Sequence, residues 1–326
     1  MDFRLTFPVA PLLPPLSYRH KLLLSGSCFT EEIGHLLTRY KFDVILNPHG
    51  ILYNPISILT GLQACLSGRR YTQQDLFRHE GLWHSWDHHG VFSGPDPAQC
   101  LEQINRACHE GERRLKEADW LMLTFGSAQV YARREDGRIA GNCHKVPATH
   151  FTRRMLSVQE IVSALDNFIH PLFSVNPRVK ILFTVSPVRY AREGVVENQV
   201  SKSTLLLAVH HLVGKFDRLY YFPAYELVID DLRDYRFYKD DLVHPNETAI
   251  RYVWEKFSEQ GMDAESRLLI AEVEKLRLAM QHRPLHAGTE AHVRFLETHS
   301  RKAAQLAGQY PGLDFSKEMD YFSAVN

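Results

Sequence analysis

Lys21-Leu22-Leu23-Leu24-Ser25-Gly26-Ser27-Cys28-Phe29-Thr30 is the stretch on which the reading of this chain turns. Residues 21–25 form an apolar run too short for a helix that stops at Gly26, so they read as a buried strand. Just beyond, Ile33, Leu36, Leu37 and Tyr40 recur at helical spacing over residues 31–40. Strand, small-residue turn and helix thus follow one another without a linker. A junction of this kind places its turn residues at a helix N-terminus, where amides point outward with no intrahelical partner. Such amides favour a thiolate and can hold an oxyanion, both of which acyl transfer requires. The same residues also read as a plain turn with a structural cysteine.

Working outward, the rhythm repeats. Apolar runs at 42–46, 120–125, 180–185 and 219–222 predict four more strands. Residues 51–115 read as mostly helix and loop, with 101–115 helical and an aromatic, histidine-rich interruption at Leu82-Trp83-His84-Ser85-Trp86-Asp87-His88-His89. Residues 130–139 resemble a hairpin around Glu135-Asp136-Gly137. Ser157 with Glu160 forms a capping box that opens a helix to about His170, and 201–216 is helical. Asn246 is placed to cap a helix with Ala249, Ile250, Val253, Trp254 and Phe257 on one face. Strands alternating with helices imply an α/β three-layer sandwich, a parallel sheet of about five strands covered on both faces. Sites in such sheets gather at the carboxyl ends of the strands. The expected organisation is an extended, Pro-punctuated arm over 1–20, an α/β domain over 21–262, and a helical extension over 263–326 packed upon it.

Among 326 residues, 38 basic and 38 acidic side chains balance, without the basic excess of a nucleic-acid binder. No run approaches the about 20 apolar residues that span a bilayer. Residues 1–15 lack an uninterrupted apolar core, so no signal peptide is expected. Five cysteines (Cys28, Cys65, Cys100, Cys108, Cys143) form an odd set without close pairing, which fits free thiols and a cytoplasmic location. His84, His88, His89, Cys143 and His144 are ligand types for zinc. With no C-x-x-C or H-E-x-x-H spacing among them, neither a metal nor another cofactor is expected.

After the last predicted strand comes Asp240-Asp241-Leu242-Val243-His244-Pro245-Asn246. An aspartate three residues before a histidine can orient the imidazole as a general base, and the helix started by Asn246 would fix the loop. Here the chain resembles the SGNH (GDSL-like) hydrolases, whose nucleophile block G-D-S-[LI]-[TS] follows the first strand and whose closing block is D-x-x-H. More closely it resembles the GSCFA family, named for the motif at Gly26-Ser27-Cys28-Phe29. Asn142-Cys143-His144-Lys145, Ser186-Pro187-Val188-Arg189 and Asp241 to Pro245 extend the likeness over roughly residues 20–260.

The resemblance implies a flavodoxin-like (SGNH hydrolase) sheet and a catalytic set of Cys28 or Ser27 with Asp241 and His244. Laid onto G-D-S, the nucleophile position falls on Cys28 and the aspartate position on Ser27. It also implies an oxyanion donor from the Gly50 amide. The third block, G-x-N, falls on Gly126-Ser127-Ala128, which lacks the asparagine. If the hairpin returns beside its outgoing arm, Asn142 arrives opposite about Tyr131 and can replace it, with His144 and Lys145 at the same mouth. Tyr53 and Asn54 would line that wall. Arg189 or Lys202 would bind an acidic group of the substrate or anchor a loop. The implied activity is hydrolysis or acyl transfer on an ester or acyl group of a small-molecule or carbohydrate-ester substrate, with Trp83, Trp86 and Tyr131 as sugar- or acyl-facing aromatics. A non-catalytic binding module on the same fold is the alternative.

Overall fold

The computed structural model describes residues 5–323, so the first four residues of the expected arm and the last three of the extension lie outside the described residues. The chain opens with β1 (Lys21–Gly26), α1 (Cys28–Arg39), β2 (Asp43–Leu46) and α2 (Pro55–Leu66). A hairpin of β3 (Leu76–His79) and β4 (Leu82–Ser85) precedes α3 (Pro97–Glu117) and β5 (Trp120–Phe125). Then come β6 (Gln129–Arg133), β7 (Phe151–Met155), α4 (Val158–Val175), β8 (Lys180–Val185), α5 (Val195–Val213) and β9 (Leu219–Tyr221). The rest is helical: a single turn α6 (Ala224–Glu226), then α7 (Glu247–Gly261), α8 (Ala264–Gln281), α9 (Glu290–Gln309) and α10 (Ser316–Ser323).

Five strands pair in the order β2-β1-β5-β8-β9, all parallel. In order of appearance this is 2-1-3-4-5, the flavodoxin-like arrangement, whose direction of winding reverses between β1 and β5. Side-chain alternation explains why these runs carry no polar face. Leu23, Leu121, Leu123, Phe125, Ile181 and Phe183 point into one core with α2 to α5. Leu22, Leu24, Trp120, Met122 and Leu182 point into the other with α1, α7 and the C-terminal helices. A sheet buried on both faces reads as continuous apolar sequence.

The described part of the arm runs along the end of α7, where Leu16 N–H donates to the Gly261 carbonyl at 2.7 Å and Asp263 N–H to the Leu16 carbonyl at 3.0 Å. The C-terminal helices share the second core through Leu269, Leu296, Leu306 and Phe322. Tyr40 bonds Glu274 at 3.2 Å and Lys41 bonds Glu318 at 3.0 Å.

Two expectations change. The histidine-rich interruption is half of the β3–β4 hairpin, which turns at Glu80 and Gly81, both at positive φ. The hairpin at Asp136-Gly137 forms, with Gly137 N–H donating to the Arg133 carbonyl at 2.8 Å, and its return arm pairs with β6 at Arg133–Arg138, Ala132–Ile139 and Tyr131–Ala140, so Ala140 rather than Asn142 stands opposite Tyr131. The strand partner of β6 is β7, farther along the chain. Ser157 caps α4 with the expected box, closed by Glu160.

Gly26 is where the sheet meets the turn. Its φ is +153°, and a Cβ there would lie 2.3 Å from the Thr124 carbonyl oxygen of β5. Neither the conformation nor the space admits a side chain. Gly26→Ala should therefore cost about 1–3 kcal/mol by forcing β1 and β5 apart. Urea unfolding measures this directly, and an unchanged midpoint would show that the junction tolerates a Cβ.

Candidate active site

The turn after β1 is pinned on both sides. Gly26 N–H donates to Asn47 Oδ1 at 2.9 Å, and Ser27 N–H to the Thr124 carbonyl at 3.2 Å. Helix α1 starts at once, with Ser27 as its N-cap residue and Cys28 in its first turn. The first-turn amides of Cys28 and Phe29 have no intrahelical acceptor, and both lie close enough to the Cys28 sulfur to favour its anion. Burial raises the Cys28 thiol above its ordinary value. The Phe29 amide, the Lys202 ammonium and the Cys28 amide oppose that rise, and Glu32 adds to it. The thiol is thus protonated at neutral pH and needs a base.

Ser27 differs sharply from its neighbour. It is 1% exposed, and its Oγ is buried without a hydrogen-bond partner. Its Cβ packs 3.3 Å from where a Cβ on Gly126 would stand. Cys28 is half-buried and opens into a cavity.

That cavity, of about 20 Å³, brings Cys28 together with Glu32, Lys239 and His244, and has room for about one water molecule. His244 Nδ1 lies 2.7 Å from Asp241 Oδ2, while Asp241 Oδ1 accepts from the Val243 and His244 amides, each at 2.9 Å. The two amide bonds and then the imidazole bond hold the Asp241 carboxyl down at about 2. It is therefore ionised across the neutral range and fixes the imidazole with Nε2 free. Leu242, at φ +58°, makes the bend that returns His244 over Asp241. Lys239 N–H closes the loop on the His244 carbonyl at 2.8 Å, and Asn246 caps α7 through the Ala249 amide at 3.1 Å. No hydrogen bond joins the Cys28 sulfur to the imidazole.

Beside the turn lies a larger cleft of about 510 Å³ whose lining includes Tyr53, Ser127, Tyr131, Asn142, His144 and Tyr190, a volume typical of small-ligand sites. Tyr53, on the cleft wall, is the lining residue that relates it to the turn. Its carbonyl accepts from Gly126 at 2.8 Å and Ser127 at 3.1 Å, and its phenol, raised chiefly by burial, also senses the Cys28 charge. Asn142, in the cleft lining, accepts from the His144 amide through Oδ1 at 2.8 Å, so Nδ2 is its remaining polar atom. Asn54 is occupied in capping α2, bonding Ser57 N–H at 2.8 Å. His144 is buried and gives its Nε2 to the Ser85 carbonyl at 2.8 Å. Burial pulls it to about 4, so it is neutral. Ser127 Oγ bonds Ser201 Oγ at 3.2 Å and accepts from Gln129 N–H at 3.0 Å. Ala128, where an asparagine would be sought, lies fully in the core.

Several expected donors are committed elsewhere. Gly50 N–H already donates to the Asn47 carbonyl at 2.8 Å. At φ +73°, with His89 Cβ 2.4 Å from where its own Cβ would be, Gly50 serves a tight turn. Arg189 anchors the histidine loop: its amide donates to the Val243 carbonyl and its guanidinium to the Leu242 carbonyl, each at 3.2 Å. It also stacks over Tyr238 at 4.3 Å. Trp86 is stacked on Phe77 at 3.7 Å and Trp83 packs against the core, whereas Tyr131 does line the cleft. The rings of His84 and His144 lie 4.5 Å apart. Their nitrogens are already engaged, those of His84 by Ser93 and the His79 carbonyl and that of His144 by the Ser85 carbonyl.

Lys202 is the residue that sequence reasoning undervalued. It lies on α5 and is 1% exposed. Its Nζ donates to the Gly126 and Ser186 carbonyls, at 2.7 and 2.6 Å, which directly follow β5 and β8. Burial lowers it to about 7, with Cys28 pushing the other way. A buried amine thus ties the segments after β5 and β8 together and couples electrostatically to the Cys28 thiol. Its signal in the sequence is faint: a lone lysine among Asn198, Ser201 and Leu205 on the inward face of α5.

Among the described residues no helix is long and apolar enough to cross a membrane. No curated protein matches the chain. Solved structures similar to it include a carbohydrate esterase family 3 from Talaromyces cellulolyticus, with TM-score 0.36 and 10% identity over 78% of this chain and 99% of that one. Another is an acetyl xylan esterase from the rumen bacterium Butyrivibrio proteoclasticus, with TM-score 0.33 and 11% identity over 82% of this chain and 65% of that one. The strand order, not these distant likenesses, assigns the fold. Residues 273–324 match the GSCFA domain protein, C-terminal domain, and residues 21–257 match the GSCFA family, to which the chain therefore belongs.

Proposed function

We propose that this protein is an acyl hydrolase or acyltransferase using Cys28 as nucleophile and His244, oriented by Asp241, as general base. The observation that carries the reading is that an accessible thiol at a helix N-terminus shares one cavity with an imidazole already held by a carboxylate. Position 28 supplies the nucleophile and position 244 the base, as in the triad logic of acyl transfer.

The steps follow from the groups present. Nε2 of His244 takes the Cys28 proton, and the sulfur attacks the carbonyl carbon of the ester. Negative charge develops on the carbonyl oxygen, facing the free Cys28 and Phe29 amides, with Asn142 Nδ2 as a donor from the cleft side. The intermediate collapses to a thioester, and the departing alkoxide takes the proton from His244. Water then attacks the thioester as His244 removes its proton, releasing a carboxylic acid and restoring the Cys28 thiol. An alcohol or amine in place of water gives acyl transfer by the same route. Lys202 is a positioning residue, holding the segments after two strands and biasing the thiol toward its anion. The polar cleft, with Tyr131, Tyr190 and Asn142, suits a small ester with hydroxyl groups, as in an acylated sugar.

Two results test this. An activated-acyl probe should label wild type and Ser27→Ala but not Cys28→Ala, and His244→Ala should lose about 100-fold to 10,000-fold in turnover. Removing the Ser27 hydroxyl, which has no partner to leave unsatisfied, should not lower stability. Label that persists in Cys28→Ala and vanishes in Ser27→Ala would transfer the role to the serine. No label on either residue would favour a binding module.

The second test uses pH. Because the Cys28 thiol is raised, its thiolate fraction at neutral pH falls below that of a free cysteine. Alkylation by iodoacetamide, followed on the Cys28 peptide by mass spectrometry, should have its midpoint above the ordinary thiol value.

A further inference from the structure

Away from the candidate active site, on the sheet face covered by α2 and α3, three ligand-type side chains from distant segments converge, and a fourth, His88, stands beside them. His49 is 1% exposed, Cys65 0%, His88 0% and Cys108 2%. The ligand atoms of His49, Cys65 and Cys108 all lie within 4.8 Å of one another. His49 Nε2 is 3.8 Å from Cys65 Sγ, and the Cys108 thiol donates to the Arg69 carbonyl at 3.7 Å. The His88 ring lies 4.9 Å from that of His49.

His88 supplies an independent sign. Its Nδ1 is 2.9 Å from Ser85 Oγ, an oxygen that also accepts from the Asp87 amide at 3.3 Å. With Nδ1–H donated to Ser85, Nε2 carries a lone pair, and that atom is buried without a hydrogen-bond partner. A buried polar atom left bare needs an explanation. Nδ1 held by a neighbouring oxygen with Nε2 free is how metal-binding histidines are commonly oriented. Glycines let the two helices close directly onto the cluster. A Cβ at Gly61 would stand 2.7 Å from the His49 ring, and one at Gly111 2.7 Å from Cys65 Sγ.

We propose that His49, Cys65 and Cys108, completed by His88, form a buried structural site for zinc. Two thiolates, two neutral imidazoles and Zn²⁺ sum to zero charge, so the complex is compatible with an apolar interior. Zinc–ligand bonds place neighbouring donor atoms about 3.3–3.8 Å apart in a tetrahedron, a modest contraction of the His49–Cys65–Cys108 group, with His88 Nε2 turned in from beside it. Binding releases the two thiol protons to solvent. The sequence does not display the site, because its ligands are 16, 23 and 20 residues apart with no short repeat. The ion would join α2 and α3 to the turn after β2, whose Asn47 holds the Gly26 amide. It would thereby brace the nucleophile turn without touching substrate.

The test is elemental analysis of the full chain, purified with a histidine-free tag and without chelator, together with cobalt(II) titration of the metal-stripped protein. The expected result is one equivalent of zinc per chain, and with cobalt the intense visible bands and sulfur-to-metal charge transfer of a tetrahedral thiolate site. His88→Ala should retain zinc at least about ten-fold less tightly, and Cys28→Ala should bind normally. Cobalt bands do not depend on any variant folding. Metal-free protein that gives no charge-transfer band overturns the proposal. So does zinc that persists in a Cys65→Ser/Cys108→Ser double variant, or a freshly isolated chain lighter by two hydrogens with a Cys65–Cys108 disulfide.

Discussion

The rest of the structure depends on the contact between Gly26 and the Thr124 carbonyl. Because no side chain separates β1 from β5 there, the first helix begins without an intervening loop, and its opening residues sit at the reversal point of the sheet. The turn is then held from β5 through the Ser27 amide and from beyond β2 through Asn47. Cys28 acquires its environment from this arrangement: half-buried, beside two free amides and coupled electrostatically to the Lys202 ammonium. A parallel sheet does the remainder, since the loops that follow its strands emerge at one rim however far apart they lie in the chain.

Much of this was legible in the sequence, for physical reasons. The central strands of the sheet are short runs with no polar face, as a doubly covered sheet requires, and the helices among and after them carry capping residues such as Ser157 and Asn246. The Asp241–His244 pair was legible because it is local: three residues of separation and one left-handed bend suffice to form it. What was not legible depends on long-range pairing. Nothing near β6 announces that β7 is its partner, and the Gly50 amide is spent on a turn that a family pattern does not reveal. The β3–β4 hairpin did carry a signal in its Glu80-Gly81 turn, masked by the density of aromatic and histidine residues around it.

Lys202 shows how a charge that looks incidental becomes structural. An ammonium fully removed from water persists only where strong acceptors meet it, and the Gly126 and Ser186 carbonyls do so. Those carbonyls follow the strands that border the cleft, so one side chain both fixes the rim and sets part of the potential at the thiol. In the proposed mechanism the Cys28 thiol rests protonated, and the His244 imidazole shares its cavity without a hydrogen bond to it. Apo sites often tighten such contacts only when substrate arrives.

The most direct measurement is a crystal structure of the protein after reaction with a slowly turned-over activated ester. The account predicts an acyl carbon bonded to the Cys28 sulfur, its oxygen toward the Cys28 and Phe29 amides, and His244 Nε2 within hydrogen-bond reach of the water that would attack it. An acyl group on another residue, or an imidazole turned away from the thioester, would contradict it.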